Sequence, residues 1–314
     1  MNLLAPQFTD AEAAREYLEN LRWPDGPACP HCGGMKAYKI TPKKEGAKTR
    51  PGLYKCGDCR KQYTVTVGTI FERSKVPLNK WLLAAYLIAS SKKGFSAHQL
   101  HRSIDVQYKT AWFMMHRLRE AMKDEAFAEA LGGEGKVVEA DETYWGNSRS
   151  KKIKPVRGGH HKEKVFALVE RGGDIRSFHV ATVTAENLQQ TMREMIDPST
   201  HIMTDGSTVY EGVDQDFASH QSVNHSAEEW VRYADKEGEP HAHTQTIDGA
   251  FSLLKRGLSG VYHHVSPAHL HRYLSEFDFR YNRRKITDSQ RADAVLKGIE
   301  GKRLMYKGSS SQVQ

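Results

Sequence analysis

Cysteine is scarce in this chain, with only four residues in 314, too few for a disulfide-built fold of this size. Long apolar runs are missing as well. The longest, Trp81 to Ala89, falls well short of the roughly 20 residues that a bilayer-spanning helix needs. The first residues, Met1-Asn2-Leu3-Leu4-Ala5-Pro6, lack a basic stretch followed by an apolar core, so no secretory signal is expected. Acidic charge is in the minority: 38 Asp and Glu stand against 46 Lys and Arg, a formal charge of +8 with the 16 histidines neutral. These shortages disfavour membrane, secreted and fibrous proteins. Hydrophobic residues make up 39% of the chain and aromatics 9%, enough for a core, so wholesale disorder is excluded. A soluble, basic, cytoplasmic protein of about two domains is expected. Many soluble enzymes share its charge balance, but a polyanion is the first partner class to consider.

The few cysteines are grouped. Cys29-Pro30-His31-Cys32 and Cys56-Gly57-Asp58-Cys59 form two C-x2-C pairs with 23 residues between them. Four thiolates in two knuckles can close a tetrahedral shell around one Zn²⁺. Gly33, Gly34 and Gly57 offer the permissive backbone that tight knuckle turns need, and residues 36–40 and 62–67 read as short strands. Disulfides would require an oxidising compartment, and a redox C-x-x-C would sit beside a βαβ unit; neither context is present. A structural zinc ribbon is the reading, with Cys29, Cys32, Cys56 and Cys59 as ligands. The loop cations Lys43, Lys44, Lys48 and Arg50 hint at nucleic acid.

After Pro77 the apolar period becomes helical. A helix is expected over 78–91, ended by Lys92-Lys93-Gly94. Ser96-Ala97-His98-Gln99 reads as a capping box opening a short helix, and a turn at Ile104-Asp105 leads to a longer one over 107–123. Ala111, Met114, Met115 and Leu118 form its apolar stripe, beside the basic Lys109, His116, Arg117 and Arg119. This is a helix-turn-helix arrangement, whose second helix can enter a major groove. Any small helical subdomain shows similar stripes.

Past Gly132-Gly133 the chain alternates strands and helices. Strands are expected at 137–145, 165–171, 175–183 and 201–203, and a helix over 185–196. A mixed sheet flanked by helices follows, in the element order of a ribonuclease-H-like fold. Three acids stand out by position: Asp141 within the first strand, Asp205 directly after the last, and Asp248 at the start of a later helix. Such a cluster repels itself without a divalent cation, and hard oxygen ligands select Mg²⁺ or Mn²⁺. Lys255 lies seven residues after Asp248, on the same helix face. A capping carboxylate and a solvated lysine would show the same spacing. Glu139 shares the strand face of Asp141, and Glu142 points to the opposite one.

Taken together, the cysteine pairs, the segment Val138-Glu139-Ala140-Asp141-Glu142-Thr143-Tyr144-Trp145, Met203-Thr204-Asp205-Gly206, the helix from Thr244 to Gly257 and the run from Gly260 to Arg283 resemble zinc-ribbon insertion-sequence transposases of the ISXO-like group. The resemblance covers residues 28–284. It implies an acidic triad at Asp141, Asp205 and Asp248, holding Mg²⁺ or Mn²⁺, with Lys255 as the associated catalytic lysine. Glutamate is usual at the third position; aspartate is one methylene shorter.

The domain division expected is a helical segment 1–24, a zinc ribbon 25–72, a helix-turn-helix-like region 73–131, a ribonuclease-H-like domain 136–286 and a tail 287–314. The implied activity is cutting of element ends and joining of 3′-hydroxyls to target DNA; the alternative is a non-catalytic DNA-binding derivative with a degenerate acidic site. Terminal inverted repeats and target DNA are the implied partners, and pairing two ends implies a homo-oligomer. DNA contacts are expected from Lys109, Arg117, Lys255, Arg256 and the loop cations Lys151, Lys152, Lys154 and Arg157, in a stretch (149–164) with seven Lys or Arg against one Glu. Localisation is expected to be cytoplasmic, with the nucleoid.

Overall fold

The computed structural model describes residues 3–41, 49–123, 129–146, 162–233 and 241–305. The chain divides into two compact units: residues 1–123 together with 283–314, and residues 124–282. None of the described helices is long and apolar enough to cross a membrane.

The first unit opens with α1 (Pro6–Thr9) and α2 (Ala11–Arg22). Asp10 caps α2 by accepting the Ala13 N–H at 2.7 Å, an oxygen acceptor where the first turn leaves donors unpaired. A three-stranded antiparallel sheet follows, β1 (Ala37–Lys39), β2 (Tyr54–Cys56) and β3 (Gln62–Tyr63). The strand expected over 62–67 stops at Tyr63, and β2 was not anticipated. Trp23 meets Tyr54 and Tyr63 edge-on at ring separations of 5.8 and 5.9 Å. The Tyr54 hydroxyl donates to Glu19 at 3.1 Å, and Arg22 donates to the Val65 carbonyl at 2.6 Å. The expected break at residue 24 is therefore bridged by aromatic packing and partly buried hydrogen bonds within one unit.

Helix α3 (Leu78–Ser90) precedes the pair α4 (Ala97–Ile104) and α5 (Tyr108–Ala121). Ser96 accepts the Gln99 N–H at 3.1 Å, the half of the expected capping box that orders the first turn. Asp105 turns the chain at φ +48°, a left-handed conformation that Asp tolerates better than most residues. Ala111, Met114, Met115 and Leu118 are buried, as the helical period requires. The region expected as a tail instead begins with a helix, α9 (Asp288–Lys297), opened by a full capping box between Thr287 and Gln290. Ala292, Val295 and Leu296 are buried, α9 packs against α3, and Tyr17 donates to Asp293 at 2.5 Å.

The second unit is built on β4 (Val137–Trp145), β5 (Glu163–Glu170), β6 (Ile175–Val180), β7 (His201–Asp205) and β8 (Ser219–Val223), in the order β6-β5-β4-β7-β8. β4, β5 and β6 pair antiparallel, whereas β7 is parallel to both β4 and β8. Helix α6 (Ala185–Met195) makes the crossover before β7, and α7 (Gln245–Gly257) and α8 (Pro267–Asn282) follow β8. Val165, Ala167 and Val169 pack with Ile247, Phe251, Leu254 and Leu270 on one face. Phe166 and Leu168 pack with Leu188, Met192 and Ile202 on the other. That two-sided cover explains the unbroken apolar run of β5, since strand side chains alternate between faces.

Candidate metal centres

The ribbon cysteines converge. Cys29 and Cys59 sulfurs lie 3.6 Å apart, as do those of Cys32 and Cys56. Among the described residues, these four form the one group of potential metal ligands whose donor atoms all lie within 4.8 Å of one another. They form a zinc-binding site. The donor chemistry fits: backbone N–H groups of Cys59 and then Asp58 stabilise the Cys56 thiolate, pulling it down to about 7 against the opposing effect of burial. In the knuckles the left-handed residue is the one after the second cysteine, Gly33 at φ +74° and Arg60 at +64°. Gly57, expected to supply that freedom, serves instead for close approach: a Cβ there would lie 2.6 Å from the Lys36 side chain.

The second group of residues lies within β4, at the end of β7 and at the start of α7. β4 and β7 pair in parallel with Glu139 opposite Met203. Two residues further along each strand stand Asp141 and Asp205, close enough for the charge of Asp205 to act on Asp141. Crevices at the carboxyl ends of parallel strands are where open α/β sheets bind ligands. Burial first, then the charges of Glu142 and Asp205, and to a lesser degree Asp248, push Asp141 up to about 8. Asp205 accepts the Ser207 N–H at 3.1 Å, and Asp141 accepts that of Glu142 at 2.7 Å. Glu142 takes the Tyr210 hydroxyl at 2.7 Å, so the carboxylate beside Asp141 is committed to the α6 side of the sheet. The three aspartates do not close to the spacing of the cysteine sulfurs.

Glu139 determines where Asp248 stands. Fully buried, its carboxylate accepts Arg171 Nε at 2.7 Å, Thr246 Oγ1 at 2.9 Å and the Ile247 N–H at 2.9 Å, with His243 Nδ1 at 3.1 Å. Arg171 also donates to the carbonyls of His241 and His243. A buried charge so completely satisfied ties the first turn of α7 to β4. Asp248, in that first turn, is exposed except for a hydrogen bond from Thr244 Oγ1 at 3.2 Å, and Thr244 in turn contacts His225 Nε2 at 3.0 Å. Sequence reasoning placed Glu139 on the right face but missed Arg171, Tyr210, Thr244 and His225. Thr244 carried a usable signal, since it stands four residues before Asp248.

Lys255 and Arg256 are exposed near the end of α7, and Arg256 Nε donates to the Ser252 carbonyl at 3.1 Å. Lys109 is exposed on α5. Arg117 does not match its expected role in DNA contact. It is 9% exposed, and its guanidinium donates to the carbonyls of Ile70 at 2.7 Å and Leu304 at 3.3 Å. Burial, with Arg303 nearby, lowers its pKa; this cation holds the unit together from inside. His116 and Arg119, the other basic neighbours of the stripe, are buried too. Lys43, Lys44, Lys48, Lys151, Lys152, Lys154 and Arg157 lie outside the described residues.

Comparison with known proteins agrees with this division. Residues 9–62 match the transposase zinc-ribbon domain, and residues 130–282 match the ISXO2-like transposase domain. The chain is also 29% identical, over 87% of its length and 91% of the relative's, to an uncharacterized protein in transposable element ISH50 of Halobacterium salinarum.

Proposed function

Because the chain belongs to the ISXO2-like transposases, we propose that it cuts the ends of an insertion sequence and joins them to target DNA by divalent-metal-dependent phosphoryl transfer. The observation that supports this reading is electrostatic: the charges of Asp205 and Asp248 both act on the buried Asp141, on strands β4 and β7 that pair in parallel. The strand order, with three antiparallel strands followed by two parallel ones, supports a ribonuclease-H-like core.

Asp141, Asp205 and Asp248 would hold Mg²⁺ or Mn²⁺. Their all-oxygen donor set fits a hard cation, and the burial and repulsion acting on Asp141 are what a cation's charge offsets. Bound divalent cations supply Lewis-acid stabilisation of the attacking and leaving oxygens of an in-line displacement. Water attacks the phosphodiester at the element's end and a 3′-hydroxyl leaves. That hydroxyl then attacks a target phosphodiester, forming a new P–O bond as the target's own 3′-oxygen departs. Lys255 grips the reacting phosphate as a point charge. Lys109, Arg256 and the loop cations Lys151, Lys152, Lys154 and Arg157 neutralise backbone phosphates. The zinc ribbon and the α4–α5 pair bind terminal inverted repeats, and pairing two ends calls for a homo-oligomer.

The test is strand joining in vitro, with purified zinc-loaded protein, Mg²⁺ or Mn²⁺, a fragment carrying the flanking genomic ends and a plasmid target. Joined products from the wild type, absent with Asp141→Asn, are expected. Binding without cleavage, with joining restored by Asp248→Glu, would replace this reading with a DNA-binding derivative whose chemistry has been lost.

A further inference from the structure

An N-cap threonine ordinarily gives its oxygen to an N–H of the helix's own first turn. Thr244 precedes α7 but makes no such bond. The Ile247 N–H that it would cap is taken instead by Glu139 from the neighbouring strand. Thr244 is buried, and its hydroxyl is turned to Asp248 Oδ2 at 3.2 Å and His225 Nε2 at 3.0 Å. A hydroxyl has one proton to give. With that proton directed to the carboxylate, Oγ1 accepts from His225, which therefore carries its own proton on Nε2. The His225 ring is fixed in turn against Trp230, with ring centroids 4.8 Å apart.

We propose that His225 and Thr244 are positioning residues for the third acid: a His–Thr–Asp chain that aims the Asp248 carboxylate, leaving its other oxygen for the divalent cation. This rests on the acidic-site reading above and deepens it. It also gives the shorter acid a physical role. Aspartate at position 248 is within reach of the hydroxyl four residues earlier, so the orientation of its carboxylate is set by a bond rather than left to free rotation. Outer partners of metal-ligating carboxylates typically change affinity by about 10–100-fold when removed.

The experiment is Mn²⁺ titration of the zinc-loaded full chain, followed by electron paramagnetic resonance of free Mn²⁺, with thermal melting and zinc content recorded for every variant. Thr244→Val keeps the side-chain shape and removes the hydroxyl; it should weaken Mn²⁺ binding about tenfold at unchanged zinc content. Thr244→Ser should bind within about twofold of wild type, a rescue that a merely structural role of the threonine would not produce. His225→Phe keeps a ring against Trp230 and removes the ring nitrogens, the Nε2–H among them; it should fall between the two, and it carries the test if Thr244→Val fails to fold. Wild-type affinity in Thr244→Val and His225→Phe, alongside lost binding in Asp141→Asn, would overturn this inference alone. Wild-type affinity in Asp141→Asn would overturn the acidic-site reading and this inference with it.

Discussion

The zinc site and the proposed acidic site are assembled in opposite ways. The zinc ligands come from two short knuckles close in the chain, and their sulfurs already lie within 4.8 Å of one another. The acids come from two strands and a helix, and their proposed site depends on the five-stranded sheet and on Glu139, which fastens α7 to β4. The first centre can create structure locally, because metal binding contributes directly to folding. The second is a product of structure, and its carboxylates resist close approach until a cation compensates their charge.

The largest effect should come from removing zinc. Binding worth about 10–16 kcal/mol is lost by chelation or by Cys56→Ser. Hydrogen exchange should then show residues 29–63 deprotected while β5 and β6 keep their protection. Simultaneous loss of protection in β5 would break the comparison. Next is Glu139→Ala, which strands Arg171 and the first turn of α7. Breaking such a buried pair costs about 3–5 kcal/mol, read as a lower denaturation midpoint, with zinc content unchanged. A smaller effect is expected from Asp248→Glu, whose longer side chain carries the carboxylate past the Thr244 hydroxyl and should weaken Mn²⁺ binding by no more than about tenfold.

Two cations of α5, Arg117 and Lys109, sharpen the contrast further. Arg117→Ala should cost about 1–3 kcal/mol of stability through its lost buried hydrogen bonds and leave the salt dependence of DNA binding unchanged. Lys109→Ala should leave the melting temperature within about 1 °C, for a surface change near 0.5 kcal/mol or less. It should reduce the salt slope of DNA binding by about 1.

This contrast also sets what could be read before the fold was known. The ribbon was legible because its ligands, spacing and turns are local. Asp141 was legible as an acid within a strand and Asp205 as one directly after a strand, but that the two strands pair in parallel is nothing spacing can supply. Arg117 was misjudged because a basic residue beside an apolar stripe reads as a surface cation; the carbonyls of Ile70 and Leu304 that bury it lie far away in the chain. β8 was missed because Ser219-His220-Gln221-Ser222 is polar, and this edge strand needs only β7 as a partner. The α9 helix was hidden in a charged, polar segment whose few apolar residues face the first unit's own core.

The central claim is that Asp141, Asp205 and Asp248 share one divalent cation, and iron-directed hydroxyl-radical cleavage tests it most directly. With Fe²⁺ replacing Mg²⁺ in the zinc-loaded protein, ascorbate and peroxide should cut the backbone near the middle of β4, the end of β7 and the start of α7. Asp205→Asn should abolish all three cuts together. Cuts that persist at α7 in that variant, or that never appear near Asp141, would contradict a shared site.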